Sequence, residues 1–168
     1  CTVKLLQDIT LDEAMTGSLM DGYSLVFGKG EYTIDLNGKT LNTNNNYFNV
    51  YRGCNLTIGD SVGGGKVTDP GMGRIATDEF SKLTVTDGEF NTNIHISKQS
   101  SLVLKGGSFK SIRAKREAGC TPFDFIADGY TFANSDGSGY ASEGNVVYEY
   151  GDYYIENVTV VSAPLKFN

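Results

Sequence analysis

One short pattern of apolar and polar positions recurs along the middle of this chain. It consists of an apolar residue, any residue, a second apolar residue, any residue, and a turn of Asp or Gly, followed in two copies by an aromatic residue. The copies begin at Asn55, Lys82 and Ser101, and an earlier version runs from Ile34 to Leu41. Counted between the first apolar residues (Ile34, Leu56, Leu83 and Leu102), the steps are 22, 27 and 19 residues. Such steps predict successive turns of one coiled sheet.

Strands this short cannot bury an apolar face alone, so the pattern predicts that like residues stack from one turn to the next. Each aliphatic side chain buried in this way contributes roughly 1.5 to 3 kcal/mol. An antiparallel β-sandwich is the alternative, because it also has short strands and many turns, but it does not predict like residues in register. The residues expected to stack are Leu56, Leu83 and Leu102, then Ile58, Val85 and Leu104, and Phe90 with Phe109.

Signals outside the repeat predict how the coil starts and ends. Residues 2–11 predict a strand, followed by one irregular or helical turn, and Thr10-Leu11-Asp12-Glu13 fits a capping box that would open the helical form to about Met15. Asn37-Gly38 is usually a hairpin turn, but the recurring pattern favours a corner between two strands. Thr121 as N-cap, Pro122 at the first helical position and Gly129 after the end predict a short helix over residues 122–128. Strands at 146–150 and 153–161 close the chain.

Several short sequence motifs of the chain resemble those of a known family. Asp35-Leu36-Asn37-Gly38-Lys39-Thr40-Leu41, Asn55-Leu56-Thr57-Ile58 with Gly65-Lys66-Val67, and Gly106-Gly107-Ser108-Phe109 resemble right-handed β-helix segments of large bacterial surface and secreted proteins, in the pectin-lyase-like superfamily. Ile126 to Phe132, followed by Asn157-Val158-Thr159-Val160, is similar to the way such segments end. The resemblance implies a single-stranded right-handed parallel β-helix (β-solenoid) with irregular rungs, and an extracellular, secreted or wall-attached protein.

Length and composition fit one all-β domain that is a fragment of a longer protein. The 168 residues include 21 Gly, 3 Pro and no Trp, which is typical of tight turns between strands. We expect residues 1–120 to form the rungs and residues 121–168 the short helix and closing strands. Cys1 leads at once into a strand, which indicates a processing or fragment boundary.

The net charge limits the kinds of binding partner, and the number and spacing of the cysteines limit disulfide pairing and metal binding. The net charge of −6 argues against nucleic acid or an anionic membrane as the main partner, and no apolar run is long enough for membrane insertion. Three cysteines leave either a Cys54–Cys120 pair with Cys1 unpaired, or three free thiols, and small free thiols are favoured. The sole His lies far in sequence from every Cys, so no metal-ligand spacing is present.

An enzymatic reading is possible because related β-helices cleave glycans. A polysaccharide lyase needs a base and carboxylates that hold Ca²⁺, and a glycoside hydrolase needs two suitably spaced carboxylates. Asp60 and Asp87 instead fall at the corner of the repeated pattern, where Asp caps its own turn, and His95 has no Ser or Cys partner in its pattern. We therefore predict no catalytic residue and no cofactor, with Ca²⁺ as a weak alternative. The lyase candidates are Arg113, Lys115 and Arg116 as base, with Asp60, Asp69, Asp78, Asp87 and the loop Asn134 to Gly139 for the metal.

Aromatic residues favour a binding role. Tyr side chains have flat faces with polar tips, which suit sugar rings or a partner protein. The sequence therefore predicts a non-catalytic module for adhesion or glycan binding, with a glycan, a host or cell-surface protein, and neighbouring domains of the same polypeptide as partners. A lyase or glycoside hydrolase and a structural spacer are the alternatives. The predicted ligand-binding residues are Tyr47, Asn49, Tyr51, Arg52, Tyr148 and Tyr150.

Overall fold

The computed structural model describes residues 1–11 and 23–165, where the fold is all-β with three short 3₁₀ helices. The helical turn predicted from Thr10 to Met15 extends outside these residues. The 3₁₀ helices are Arg116–Ala118, Pro122–Phe125 and Glu143–Asn145. The strands are β1 Thr2–Lys4, β2 Ile9–Thr10, β3 Tyr23–Phe27, β4 Gly30–Asp35, β5 Thr40–Asn42, β6 Tyr47–Val50, β7 Cys54–Gly59, β8 Lys66–Thr68, β9 Arg74–Thr77, β10 Lys82–Val85, β11 Glu89–Ile96, β12 Ser101–Leu104, β13 Ser108–Lys115, β14 Tyr130–Asn134, β15 Val147–Glu149 and β16 Asp152–Ser162.

The strands up to β13 stack as parallel pairs in three columns. The first column is a five-stranded sheet in the order β1-β4-β7-β10-β12. The second contains β2, β5, β8 and the starts of β11 and β13, and the third contains β3, β6, β9 and the ends of β11 and β13. Strands β11 and β13 run through both columns and join them into one larger curled sheet. This all-β arrangement of parallel strands is compatible with a β-solenoid.

The register of the strands confirms the predicted stacking of like residues, which are buried in one continuous core. The stacked sets are Leu56–Leu83–Leu102, Ile58–Val85–Leu104 and Phe90–Phe109. The Phe90 and Phe109 rings are nearly parallel, with centroids 5.2 Å apart. One alignment is wrong: Ile34 pairs with Ile58, a step of 24 residues, because Tyr32 takes the place opposite Leu56.

Asn37-Gly38 forms a corner, as predicted, and joins β4 in the first column to β5 in the second. Both residues have positive φ (51° and 70°). The Asp60 carboxylate accepts hydrogen bonds from the backbone N–H groups of Gly38 at 2.7 Å and of Gly65 at 2.6 Å. Burial raises the pKa of Asp60, but these hydrogen bonds outweigh it and hold the pKa below its usual value. Asp60 therefore holds two neighbouring corners together.

The helix predicted over residues 122–128 is shorter than expected, since the 3₁₀ helix ends at Phe125. Asp124 supports its first turn by accepting a hydrogen bond from the Thr121 N–H at 2.7 Å. The chain then becomes extended, because Ile126 forms a parallel bridge with Leu104 and the Ala127 N–H donates to the Leu104 carbonyl at 2.9 Å. Pairing with the edge of β12 thus replaces the last predicted helical turn.

The closing strands are antiparallel. Strand β16 pairs with β13, and both β14 and β15 pair with β16. An antiparallel β-sandwich would show antiparallel pairing throughout the chain. Among the described strands, such pairing occurs only in this C-terminal part. Strand β16 covers the edge of β13, which would otherwise present unpaired N–H and C=O groups to solvent.

The three cysteines are free thiols, as favoured from the sequence. Cys54 is buried, Cys120 is half-buried and Cys1 is exposed. Burial raises the pKa of both the Cys54 and the Cys120 thiol. None of the helical segments in residues 1–11 and 23–165 has the length and apolar character of a membrane-spanning helix.

Candidate binding site

The outer side of the third column carries polar residues at alternate positions. Ile75, Ile94 and Ile112 are fully buried and pair across β9, β11 and β13. Because side chains alternate along a strand, the residues on either side of each isoleucine face outward. We call this surface the outer face. Its residues are Tyr47 and Asn49 on β6, Arg74 on β9, Asn93 and His95 on β11, Ser111 and Arg113 on β13, and Tyr154 and Glu156 on β16.

Two arginines of the outer face each lie over a tyrosine ring. The Arg74 Cζ atom is 4.5 Å from the centroid of the Tyr47 ring, and the Arg113 Cζ atom is 4.5 Å from that of Tyr154. The register explains both contacts, since Tyr47 is paired with Arg74 and Arg113 with Tyr154. Such a cation–π contact contributes about 0.5 to 1 kcal/mol at an exposed site and more when it is desolvated. The two stacks lie on either side of β11.

His95 lies between the two stacks and faces an acidic residue from the closing strands. Its Nε2 atom is 3.2 Å from Asp152 Oδ2, and the two side chains are only 14% and 16% exposed. Burial lowers the pKa of His95, Asp152 raises it, and the positive charges of Arg74 and Lys115 lower it further, so the pKa lies below its usual value. His95 is therefore a neutral imidazole at pH 7.

Four buried polar atoms of the outer face have no well-aligned hydrogen-bond partner. They are Arg74 Nε, His95 Nε2, Ser111 Oγ and Arg113 Nε. His95 Nε2 is close to Asp152 but makes no aligned hydrogen bond with it, and the two form an ion pair only when the imidazole is protonated. A buried polar group without a partner costs about 1 to 3 kcal/mol. Four of them on one surface indicate a place where the fold leaves hydrogen-bonding capacity unused.

The positive charge of the outer face is not neutralised locally. Across the part of the chain that the structure describes, neither Arg74 nor Arg113 forms an ion pair with a carboxylate. The neighbouring acids have other contacts: Asp152 faces His95, and Glu149 accepts a hydrogen bond from the Tyr154 hydroxyl at 3.1 Å. Each guanidinium therefore retains donors for a partner from solution.

Only one of the predicted ligand-binding residues takes part in these stacks. Tyr47 lies under Arg74, whereas Asn49 is only 5% exposed and offers a ligand little surface. Tyr51 and Arg52 follow β6 at a corner, where Arg52 pairs with Glu79 at 2.6 Å. Alternation along β6 predicts Asn49 at the surface, and its burial shows that prediction to be wrong.

Tyr148 and Tyr150 lie at the far edge of the same sheet. In the strand order β6-β9-β11-β13-β16-β15, Tyr148 is five strand spacings from Tyr47, or roughly 24 Å at about 4.8 Å per spacing. Tyr148 is 50% exposed and contacts Arg116, and Tyr150 is 90% exposed in the turn before β16. The predicted residues thus fall at two ends of a surface whose middle contains the paired stacks.

The metal candidates from the sequence are engaged in turns. Asp69 accepts hydrogen bonds from the Thr43 hydroxyl and from the N–H groups of Asn45, Gly71 and Gly73 at 2.7 to 2.8 Å. Asp78 and Asp87 each accept one from the next residue's N–H, and Asp136 accepts one from the Ser138 N–H. Among the described residues, no group of three or more His, Cys, Asp or Glu side chains is arranged to hold a metal ion.

Two residues of the site escaped prediction as a binding group. Arg74 was not singled out, and His95 was set aside because it lacked a partner in sequence, whereas Tyr154 belongs to the tyrosines of the last strands (Tyr148, Tyr150, Tyr153 and Tyr154) that the sequence indicates for binding. A signal was present, because Arg74-Ile75-Ala76, Asn93-Ile94-His95 and Ser111-Ile112-Arg113 share an isoleucine flanked by outward positions. Aligning those isoleucines places Arg74, His95 and Arg113 on one surface.

The comparisons with known proteins give no relative from which to transfer a function. No family model, no curated protein and no solved structure matches this chain.

Proposed function

We propose that this chain is a non-catalytic, right-handed parallel β-helix module of a bacterial surface or secreted protein, and that it binds a glycan on its outer face. The parallel columns of strands and the recurring apolar pattern support a β-helix. Its proposed right-handedness follows from the general preference of parallel strand connections, about 98% of which are right-handed. The resemblance of the short sequence motifs to bacterial surface proteins supports the extracellular, adhesive role.

The observation that carries glycan binding is the pair of Arg–Tyr stacks on the outer face. Aromatic rings offer apolar faces to the C–H groups of sugars, and guanidinium groups donate to hydroxyl and ring oxygens. The stacking holds each guanidinium in place, which reduces the conformational entropy lost on binding. A surface that extends over several strands also fits an extended chain better than a small compact ligand.

The proposal is tested by a glycan array probed with the wild-type chain and with Tyr47→Ala and Tyr154→Ala. Each substitution removes the ring under one arginine, so we expect a glycan signal in the wild type that falls at least several-fold in both variants. Tyr140→Ala is the matched control, because Tyr140 is 59% exposed and lies beside Ala133 on β14, near the other end of β16. An absence of any wild-type signal would contradict the proposal and favour a structural spacer.

A polysaccharide lyase is the second candidate, favoured by the neutral His95, which is paired with Arg113 and lies beside Asp152. A lyase base removes the proton next to a uronate carboxylate, the bond to the leaving glycosidic oxygen breaks, and that oxygen gains a proton. Release of unsaturated uronides that is abolished by His95→Gln would support this reaction. Binding without release supports the non-catalytic module.

A further inference from the structure

We propose that the outer face binds sulfate or carboxylate groups of an acidic glycan at Arg74 and Arg113, on either side of His95. This inference rests on the glycan binding proposed above and adds the chemical class of the ligand. Carboxylates and sulfate esters present the same chemistry to the site: a compact anion with several oxygen acceptors.

Two arginines of the outer face carry a positive charge that no carboxylate of the described residues neutralises. In a chain with a net charge of −6, an arginine without a carboxylate partner is free to bind an anion from solution, and the outer face has two. Asp152 on β16 faces His95. Glu156 lies on the outer face but forms no ion pair with either arginine within the described residues.

The strand register places Arg74 and Arg113 on two of the strands that pair with β11. Arg113 is directly paired with His95, while Arg74 is paired with Asn93, two residues before it. Arg74 and Arg113 are two strand spacings apart, or roughly 10 Å, with an offset of about 7 Å along the strands. Arg74 and Arg113 therefore lie on either side of His95, each against a tyrosine of the next strand out. This spacing suits acid groups on neighbouring sugars of one glycan chain.

The guanidinium groups of Arg74 and Arg113 have hydrogen-bond donors that suit an anionic ligand. Guanidinium groups bind carboxylate and sulfate oxygens through paired, charge-assisted hydrogen bonds, which are stronger than those between neutral groups. The Nε atom of each guanidinium is buried, so a ligand is reached through the Nη groups. A neutral sugar would leave this capacity only partly used.

The test is direct titration of the intact chain with three polysaccharides at low salt. Dextran sulfate supplies sulfate, polygalacturonate supplies carboxylate and dextran supplies neither. The variants are Arg74→Gln, Arg113→Gln and the double variant, with a check of unchanged thermal unfolding. The matched control is the double variant Lys82→Gln with Lys105→Gln, because both lysines are exposed at the first sheet.

We expect binding of at least one acidic polymer, weakened about tenfold or more by each arginine substitution and by added salt, with the lysine control unchanged. The responding polymer distinguishes sulfate from carboxylate. Equal losses in the arginine and lysine variants would overturn the inference by indicating non-specific attraction.

The remaining outcomes separate the inference from the proposed function. Binding of a neutral glycan that is lost in Tyr47→Ala but retained in the arginine variants would overturn the acidic ligand and keep the glycan-binding role. An absence of binding to these polymers and to every glycan on the array would overturn both.

Discussion

His95 shows how a residue that looks ordinary in the sequence acquires its properties from strands far along the chain. Its alternation with Ile94 and Ile96 predicts the side that it faces, and that prediction is confirmed by the burial of both isoleucines. The acid that it meets, Asp152, comes from a closing strand 57 positions later. No local pattern contains that contact, because it depends on how β16 turns back against β13.

At the residue scale we predict that His95 makes the protein less stable as the pH falls. Its pKa in the folded state lies below the usual value near 6.5, so on acidification the unfolded chain binds the proton first. The free energy of unfolding therefore decreases as pH falls from about 6.5 towards the folded pKa. Arg74 and Lys115 oppose protonation from β9 and β13, and Asp152 favours it from β16.

Two measurements check this prediction. An NMR titration of the imidazole Cε1–H resonance has one signal to follow, because the chain contains a single His, and its midpoint should lie below 6.5. Urea unfolding of wild type and His95→Gln between pH 7 and pH 5.5 should show a weaker pH dependence in the variant. A midpoint above 6.5 would contradict the burial that the structure gives His95.

At the scale of elements, the short strands of the first sheet are stabilised by stacking from turn to turn. Leu83 on β10 is fully buried between Leu56 and Leu102. We predict that Leu83→Ala destabilises the protein by about 2 to 5 kcal/mol, through lost burial and the cavity left behind. Lys82→Ala, on the same strand but exposed, should change the free energy of unfolding by no more than about 0.5 kcal/mol.

Urea unfolding of the two variants provides the measurement. A small effect of Leu83→Ala, similar to that of Lys82→Ala, would contradict the register in which the leucines of successive turns lie over one another.

The elements also show how far the sequence predicts the fold. Repeated apolar positions predicted the stacking, because both the strand period and the corner residues are local signals. The first step was two residues short because Tyr32 occupies an apolar position that the pattern did not include. The helix at residues 122–128 was too long because Ile126 and Ala127 pair with Leu104, a contact with a preceding turn that local helix signals do not contain.

The site was harder to predict than the core for a related reason. In the core, similar apolar residues of successive turns lie over one another, so a repeat in the sequence alone is enough to reveal the stacking. The outer face joins unlike residues, such as Arg74 with Tyr47 and Arg113 with Tyr154, from strands that the repeat does not align. Only the register shows that they are neighbours.

At the scale of the whole molecule, the antiparallel strands close one side of a parallel stack. Strand β16 pairs with β13 along most of its length and also carries Asp152 and Tyr154 to the outer face. We predict that deleting residues 121–165 exposes the edge of β13 and causes self-association, because unpaired strand edges template pairing with other chains.

Light scattering coupled to size-exclusion chromatography checks this prediction. The control is replacement of the loop residues 135–139 by a shorter Gly-containing turn, which leaves β16 in place. A deletion variant that stays the same size as the control would contradict the role of β16 as an edge cover.

NMR mapping of ligand contact during titration with an acidic glycan tests directly whether the outer face is the binding surface. We expect the Nε–H signals of Arg74 and Arg113 and the ring signals of His95 to shift together and saturate. Backbone signals on β6, β9, β11 and β13 should follow, while those of β7 and β10 in the first sheet remain unchanged. Shifts centred on another surface, or no shifts at a saturating glycan concentration, would show that the outer face does not bind the glycan.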